Sequence, residues 1–292
     1  MKTLRARTDP AWFEAQYNNR TRVPDHALHF SRWAEASRLV RGKSAAHIDL
    51  AYGDGAGEKL DIFPAANTSN ASGAPVIVFI HGGYWRSLDK ADFSFIAPAL
   101  NAAGATVVLP NYALCPAVDI EHIALQLTRA VAWVWHHAGQ YGADNARIGV
   151  VGHSAGGHLA TMLLSCRWKD VDSALPTQPL HAALSISGVF DLEPLRQVPS
   201  LQADLQLTPA SVRRLSPAFF PRPKSGRLFT TVGMEESDEF LRQNALIRDV
   251  WGPTAVSVCE TLPGLNHFSV VEGLADARSR LHHLALRTVG LR

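Results

Sequence analysis

The sequence is poor in cysteine, and its few cysteines are not arranged for a disulfide framework or a metal site. Three occur in 292 residues, Cys115, Cys166 and Cys259. They are far apart and form no Cys-x-x-Cys pair, which argues against both a set of disulfides and a structural zinc ion. We therefore expect the thiols to be reduced and mostly buried.

Long apolar runs and blocks of like charge are also missing. No run reaches the roughly 18 apolar residues of a membrane-spanning helix, and residues 1–17 lack the apolar core of a signal peptide. The formal net charge is +2 without a cluster of Lys and Arg, which argues against a nucleic-acid partner. We expect a cytoplasmic protein whose partner is a small-molecule substrate, not a membrane or nucleic acid, and a homodimer is left open.

What the sequence does contain is an alternation of apolar runs with helical segments. Apolar residues make up 47% and charged residues 18% of the chain, which is typical of a globular enzyme. The alternation predicts one α/β domain, 1–292, with a mostly parallel central sheet covered by helices on both faces. The predicted strands span 47–52 and 59–63, as an antiparallel pair, then 76–80, 105–109, 147–151, 182–186, 227–232 and 255–261; the predicted helices span 89–103, 120–139, 154–165, 238–250 and 269–287.

Two segments depart from this alternation. Within residues 1–45, aromatic and aliphatic side chains follow helical spacing from residue 10 to residue 41, which predicts a helical N-terminal arm. Residues 191–225 form a long connection rich in Pro and Leu, and connections of this length are usually functional. We interpret 191–225 as a short cap insertion over the functional site, with a plain surface excursion as the alternative.

The strongest functional motif is Gly-His-Ser-Ala-Gly at residues 152–156. It follows an apolar strand and precedes an apolar helix, which is the context of the nucleophile elbow in the α/β-hydrolase fold. Gly152 and Gly156 leave the space that such a sharp turn requires. Ser154 is thus the candidate nucleophile, and the positive end of the helix behind it would stabilise the oxyanion formed on attack.

A second motif, His-Gly-Gly-Tyr-Trp at residues 81–85, directly follows the strand 76–80. Acyl transfer builds negative charge on a carbonyl oxygen, and backbone N–H groups can point at that oxygen only where no side chain intrudes. For this motif alone, a glycine turn without function is the alternative. Upstream of a nucleophile elbow it predicts an oxyanion loop, in which the N–H groups of Gly82, Gly83 and Ala155 hold the oxyanion.

The general base must follow the nucleophile, because the chain order in this fold is Ser, acid, His. Three histidines lie in the C-terminal part, His267, His282 and His283. The last two fall in a predicted helix, whereas His267 lies in a Gly-containing loop between a strand and a helix, so we predict His267 as the base. His158 has no metal-binding partner at matching spacing and is interpreted as a core histidine.

The acid should lie on the loop after the strand 227–232, where four carboxylates compete. One of them can orient the imidazole, and the others are expected to be solvated or to cap the next helix. Spacing alone leaves both Glu236 and Asp238 as candidates.

Taken together, these segments resemble a known family. The residues that carry the resemblance are HGGYW at 81–85, GHSAGG at 152–157, ESDEFLRQ at 236–243, NHF at 266–268, QYN at 16–18 and LDIFP at 60–64. They are similar to the kynurenine formamidase (arylformamidase) branch of the esterase/lipase-like α/β-hydrolases, over nearly the whole chain. HGGYW and the acidic loop are fairly specific to that branch, whereas GHSAGG is not.

The resemblance implies a choice between the two acids. The family's catalytic carboxylate lies three residues after the glycine that ends the strand, and that position is Glu236 here. Animal members generally have Asp there, and Glu is compatible with the chemistry because Ser-His-Glu triads occur in this fold. The resemblance also implies a serine hydrolase that needs no cofactor and no metal.

The implied reaction is cleavage of a formyl or other short acyl group from an aryl amide or ester, with N-formylkynurenine as the expected substrate. The acyl pocket can then be small, and the aromatic leaving group needs a flat apolar wall. Candidates for that wall are Tyr84, Trp85, Phe219 and Phe220. The alternatives are a carboxylesterase for small acyl esters, which would use the same catalytic residues, and, more weakly, a non-catalytic binding protein on a hydrolase scaffold.

Overall fold

An eight-stranded sheet runs through the protein in a computed structural model that describes residues 9–43, 45–66 and 73–292. The strands are β1 (His47–Ala51), β2 (Lys59–Phe63), β3 (Ala74–Ile80), β4 (Thr106–Pro110), β5 (Ala143–His153), β6 (Leu180–Ile186), β7 (Arg227–Gly233) and β8 (Val256–Leu262), in the order β1-β2-β4-β3-β5-β6-β7-β8. β2 is antiparallel to both of its neighbours, and the other described pairs are parallel. The mostly parallel sheet of the α/β-hydrolase fold is thereby confirmed.

Helices connect the strands and cover both faces of the sheet. They are α1 (Pro10–Tyr17), α2 (Asn19–Arg22), α3 (His26–Lys43), α4 (Ala97–Ala102), α5 (Ile120–His137), α6 (Ala155–Leu164), α7 (Trp168–Val171), α8 (Pro199–Leu205), α9 (Pro209–Leu215), α10 (Asp238–Ala255), α11 (Ser269–Glu272) and α12 (Arg280–Arg287), with 3-10 turns at Lys90–Ile96, Ala138–Tyr141, Glu193–Gln197, Pro217–Phe219 and Gly273–Ala275. None of the described helices combines the length and apolarity that a bilayer crossing requires.

Two predicted helices differ from the observed ones. The segment predicted as one helix over 89–103 begins as a 3-10 turn, which Asp89 caps, before α4 starts. The segment predicted as one helix over 269–287 is divided into α11, a 3-10 turn and α12. The division occurs because Ser279 starts a new helix by accepting a hydrogen bond from the N–H of His282.

Strand residues alternate between two apolar layers, one on each face of the sheet. Val76, Val78 and Ile80 of β3 belong to the layer that also contains side chains of α5, α6 and α10. Ile77 and Phe79 belong to the layer shared with α3, α4 and α12. β3 is apolar throughout because both of its faces are covered. The carboxyl ends of the parallel strands meet at one edge, where the loops after β3, β5, β7 and β8 emerge.

The N-terminal arm and the 191–225 connection contact each other as well as the domain. α3 packs on the 3-10 turn Lys90–Ile96, and α1 contacts α8, α10 and the turn Glu193–Gln197. The arm is helical from α1 to α3, and residues 1–8 and Ser44 of it lie outside the described residues. The role of 191–225 as a cap stays a prediction.

All three cysteines are free. Cys115 is buried, whereas Cys166 and Cys259 are half-buried. Burial raises the pKa of Cys115 and that of Cys166 to about 11. Both thiols are therefore protonated near neutral pH and are poor nucleophiles.

A buried ion cluster ties the arm to the first strands and to the loop after β3. Asp61 of β2 is fully buried, pairs with Arg41 of α3, and lies 2.7 Å from Lys90 Nζ through Oδ1. Lys90 is also buried and pairs with Asp49 of β1 at 2.7 Å. The N–H of Asp49 donates to Asp61 Oδ1 at 2.8 Å. Two carboxylates thus compensate two cations, and Asp61 contacts every other member.

Removing Asp61 should leave Lys90 buried without its central partner. We expect Asp61→Ala to lower the free energy of unfolding by about 3–5 kcal/mol, the range for breaking a buried ion pair. Glu35→Ala, which removes an exposed pair with Arg38 of α3, is the matched control and should leave the unfolding midpoint almost unchanged. Urea unfolding followed by circular dichroism measures both variants, and equal effects would contradict a structural role for the cluster.

Candidate active site

Ser154 lies in the sharp turn between β5 and α6 and has the strained backbone of a nucleophile elbow. Its φ and ψ are 57° and −118°, a combination that non-glycine residues rarely adopt. The turn closes because its flanks are glycines: a Cβ on Gly152 would lie 2.0 Å from the carbonyl oxygen of Gly156, and one on Gly156 would lie 2.0 Å from that of Ile80. The side chain of Ser154 therefore stands at the carboxyl end of β5, beside the N-terminus of α6.

The structure brings Ser154, His267 and Glu236 into one hydrogen-bonded chain. Ser154 Oγ lies 3.0 Å from His267 Nε2, and His267 Nδ1 lies 2.6 Å from Glu236 Oε2. Glu236 follows β7 and His267 follows β8, so two neighbouring strands deliver the two side chains. All three residues are buried. In this geometry an acid can orient an imidazole that deprotonates a serine.

The two acids that spacing left open lie in different surroundings. Glu236 is buried against His267, whereas Asp238 is exposed in the first turn of α10. Ser237 caps that helix by accepting a hydrogen bond from the N–H of Phe240 at 3.3 Å. His267 Nδ1 is already paired with Glu236. The geometry therefore favours Glu236, whose role as the catalytic acid stays a prediction.

Sequence reasoning missed a partner of Glu236. Ser187, which follows β6, is buried and donates a hydrogen bond from Oγ to Glu236 Oε1. The N–H of Gly233 donates to the same oxygen at 2.8 Å. With His267 on the other oxygen, the carboxylate is held at both ends. The sequence signal that could have identified Ser187 is its position directly after a predicted strand, because residues just after adjacent parallel strands meet at one edge of the sheet.

The loop after β3 crosses directly over the nucleophile elbow. A Cβ on Gly82 would lie 2.8 Å from the carbonyl oxygen of His153, and Gly83 has a φ of 106°, which favours glycine. Within the part of the chain that the structure describes, the N–H groups of Gly82, Gly83 and Ala155 donate no hydrogen bond. They are therefore available as oxyanion donors beside Ser154, and this role stays a prediction.

His153, the residue before Ser154, is buried beside His267. The two ring centroids are 4.9 Å apart, and His153 Nε2–H donates to the carbonyl oxygen of His267 at 2.8 Å. Burial, and then the proximity of His267, hold the pKa of His153 well below its usual range. His153 is therefore neutral, and it supports the backbone of the His267 loop without opposing a positive charge on that imidazole.

Ser154 and His267 open into a narrow cavity, and the N-terminal arm contributes six of its lining residues. The other lining residues are Tyr17, Asn18, Asn19, Arg20, Phe30 and Trp33 from the arm, Gly83, Tyr84, Arg86, Ser87 and Leu88 from the loop after β3, Ser200 and Leu201 of α8, and His153 and Phe268, which neighbour Ser154 and His267 in the chain. The aromatic rings among them can pack on a flat ligand. The sequence had not indicated that the arm contributes to the site.

Three of the four residues predicted to form the leaving-group wall do not line this cavity. Trp85 is fully buried beneath the loop, with its ring centroid 5.1 Å from that of His158. Phe219 is 54% exposed, and the backbone carbonyl of Phe220 accepts a hydrogen bond from Trp251 Nε1 at 3.2 Å. The geometry of this cavity does not support these three contacts, which stay predictions; Trp85 points away from it because side chains on a turning loop point in different directions from one residue to the next.

Tyr84 does line the cavity, and it joins the loop after β3 to the arm. Its hydroxyl donates to the backbone carbonyl of Tyr17 at 2.6 Å. Burial, and then the charge of Glu236, raise the pKa of Tyr84 far above its usual range. The hydroxyl therefore keeps its proton and the hydrogen bond at any physiological pH.

The remaining histidines considered from the sequence have structural contacts. His158 is buried, and its Nε2–H donates to the carbonyl oxygen of Leu215 at 2.6 Å. Burial lowers the pKa of His158 to about 4, so it is neutral. His282 bonds through Nδ1 to the carbonyl oxygen of Leu274 at 3.0 Å. Across residues 9–43, 45–66 and 73–292, no three His, Cys, Asp or Glu side chains are grouped to hold a metal ion.

Related proteins align with most of this chain. Kynurenine formamidases of Danio rerio and Drosophila melanogaster are 29% and 26% identical to it, over 90% of this chain and 88% of theirs. A solved structure of a thioesterase candidate from Silicibacter sp. TM1040 is 28% identical, with a TM-score of 0.82, and covers 94% of this chain and 98% of its own.

A more distant structure shows the same fold. Esterase B of Lactobacillus rhamnosis HN001 superposes with a TM-score of 0.68 at 19% identity, covering 93% of this chain and 95% of its own. Residues 60–211, more than half of the chain and running from within β2 to within α9, match the BD-FAE family. The chain therefore belongs to the BD-FAE family and is a kynurenine formamidase-like serine hydrolase with the α/β-hydrolase fold.

Proposed function

We propose that the enzyme hydrolyses N-formylkynurenine or a closely related aryl formamide, with Ser154, His267 and Glu236 as its catalytic triad. The observation that carries the proposal is a hydrogen-bonded Ser-His-Glu chain that opens directly into a cavity with aromatic walls. Similarity to kynurenine formamidases over 90% of the chain supports the formamide as the substrate class.

The reaction begins at Ser154. His267 Nε2 takes the hydroxyl proton as Oγ attacks the formyl carbon. The negative charge that develops on the formyl oxygen is stabilised by the N–H groups of Gly82, Gly83 and Ala155 and by the positive end of α6.

Departure of the amine and release of formate complete the cycle. His267 passes its proton to the leaving nitrogen, which is needed because an amide expels its amine poorly without protonation. Water, deprotonated by His267, then attacks the formyl ester on Ser154, and His267 returns that proton to Ser154 Oγ as the ester bond breaks and formate leaves.

Glu236 makes both proton transfers possible by fixing the orientation of His267. Its carboxylate accepts the Nδ1–H of His267, which leaves Nε2 free to face Ser154. Because Ser187 and Gly233 hold the other carboxylate oxygen, the acid is fixed before substrate arrives. It then stabilises the imidazolium that forms during attack.

The leaving-group side of the cavity suits an aromatic ring. Phe268 follows His267 directly, and its ring centroid lies 5.2 Å from that of Phe30 in an edge-to-face arrangement. Trp33 continues this wall, 5.4 Å from Phe30. These rings offer apolar faces and edges to an aryl amine. A formyl group carries no alkyl chain, so the acyl side needs little room.

A carboxylesterase for small acyl esters is the second candidate. A Mycobacterium tuberculosis protein named as a probable carboxylic ester hydrolase, LipM, is 33% identical over 51% of this chain and 36% of its own length. Esters and formamides use the same triad, so the catalytic residues do not separate the two activities. The two activities are separated by the shape of the leaving-group cavity and by direct measurement of turnover on each substrate.

The two candidate acids should respond very differently to truncation. We expect Glu236→Ala to lower kcat by about 10³–10⁴-fold, because His267 loses the group that orients it. Asp238→Ala is the matched control and should have a far smaller effect, since Asp238 is exposed and makes no bond to His267. Steady-state turnover, with circular dichroism to check folding, decides the matter. The reverse ranking would move the acid to Asp238.

Substrate preference should follow the shape of the cavity. We expect N-formylkynurenine and acetate or butyrate aryl esters to be hydrolysed, and long-chain aryl esters to be poor substrates. Some activity on short esters is expected even if the formamide is the natural substrate, because a methylene-sized difference in apolar fit is worth only about 1–3 kcal/mol. The measurement is kcat/KM for each compound. Fast butyrate esters with no turnover of N-formylkynurenine would favour the carboxylesterase instead.

A further inference from the structure

One cation at the mouth of the cavity has no acidic partner. Arg20, in α2, donates from Nη2 to Ser87 Oγ at 3.3 Å, and its guanidinium carbon lies 5.5 Å from the ring centroid of Phe30. Among the described residues it forms no ion pair with a carboxylate, and the charged group that acts on it is Arg86, another cation. Burial and then Arg86 lower the pKa of Arg20, yet an arginine stays protonated at neutral pH.

Arg86 differs from Arg20 because its charge is already compensated. It pairs with Asp204 of α8, and its Nη1 also donates to the backbone carbonyl of Ser200 at 2.6 Å. These contacts tie the oxyanion loop to α8. Arg86 therefore has a structural partner for its charge, whereas Arg20, which is exposed, has no carboxylate partner among the described residues.

A second, independent observation lies next to Arg20 in the same cavity wall. Asn19 is 5% exposed, and its side-chain Nδ2 is buried without a hydrogen-bond partner among the described residues. Buried donors of this kind are normally paired. Asn19 and Arg20 are consecutive lining residues of this cavity, and both side chains carry hydrogen-bond donors, which favours a ligand group that accepts hydrogen bonds.

The described lining of the cavity includes no carboxylate side chain. It does include two arginines, Arg20 and Arg86. Its walls otherwise present aromatic rings and small polar groups. The charge distribution thus favours an anionic ligand over a cationic one.

We infer that Arg20, assisted by Asn19, binds a carboxylate on the leaving-group side of the substrate, so that the enzyme selects aryl formamides or esters whose aryl part carries an acid. The inference rests on the proposed function for the position of the leaving group. In this arrangement the acyl carbon of the substrate lies at Ser154 and its carboxylate lies at the mouth of the cavity. Arg20 is then a specificity-determining residue.

The test compares matched substrates that differ only in that carboxylate. N-formylkynurenine is paired with its methyl ester, and the acetate ester of a hydroxyphenylalkanoic acid is paired with its methyl ester. For each pair, the measured quantity is the ratio of kcat/KM for the acid to kcat/KM for the methyl ester. We expect the wild-type ratio to exceed one clearly, and Arg20→Gln to lower it roughly 10-fold, mainly through KM.

Two further variants distinguish a direct contact between Arg20 and the carboxylate from a general effect of positive charge near the cavity. Arg22→Gln removes the same charge from the same helix. Arg22 is exposed, like Arg20, but lies outside the cavity lining, so the ratio should stay within about twofold of wild type. Arg20→Lys should restore part of the ratio because it keeps the charge but not the forked geometry. An equal fall in Arg20→Gln and Arg22→Gln, or no fall in a folded Arg20→Gln, would overturn the inference.

The ester pair keeps this result separate from the formamide question. If wild-type enzyme hydrolyses neither N-formylkynurenine nor its methyl ester, the proposed function fails, while the ester pair still reports on Arg20. If Arg20→Gln does not fold, the wild-type ratio and Arg20→Lys decide. A wild-type ratio of one for the ester pair would overturn the inference on its own.

Discussion

The backbone conformation of Ser154 is the constraint on which the rest of the site depends. A φ of 57° at a residue with a side chain persists only where surrounding contacts over-determine it. Here β5, α6 and the loop after β3 pack so closely that Gly152, Gly156 and Gly82 have no room for a Cβ. One set of contacts therefore places both Ser154, the proposed nucleophile, and the loop after β3, which is proposed to hold the oxyanion. Donors that are fixed before substrate binds can stabilise developing charge without first having to reorganise.

The N-terminal arm contributes a wall of the cavity that the sheet and its loops do not form. Tyr17 is its anchor: its carbonyl oxygen accepts the hydroxyl of Tyr84 at 2.6 Å, and its own hydroxyl donates to Glu239 at 2.7 Å. A single residue of the arm thus contacts the oxyanion loop and the helix that follows the acid loop. The cavity wall formed by Phe30 and Trp33 comes from the same arm. Substrate selection can therefore change while the catalytic core stays the same.

Most of the fold and the central residues of the site could be predicted because their signals are local. Apolar runs mark buried strands, and Gly-x-Ser-x-Gly between a strand and a helix imposes its own geometry. Ser187 and the arm residues could not be found this way, because their proximity to Glu236 and Ser154 arises from tertiary packing. Trp85 was misplaced for a related reason. Tyr84 and Trp85 both have positive φ, 51° and 56°, so the side-chain directions could not be inferred from their order in the sequence.

Covalent labelling tests the central claim most directly. The protein is incubated with a reactive aryl phosphonate, and the modified residue is located by peptide mass spectrometry. Ser154 and Ser187 are both buried serines with positive φ at the ends of neighbouring strands, but Ser154 is the one bonded to His267. We expect one phosphonate per chain, on Ser154, and none on the Ser154→Ala variant. An adduct on Ser187 or another residue, or an unmodified Ser154, would contradict it.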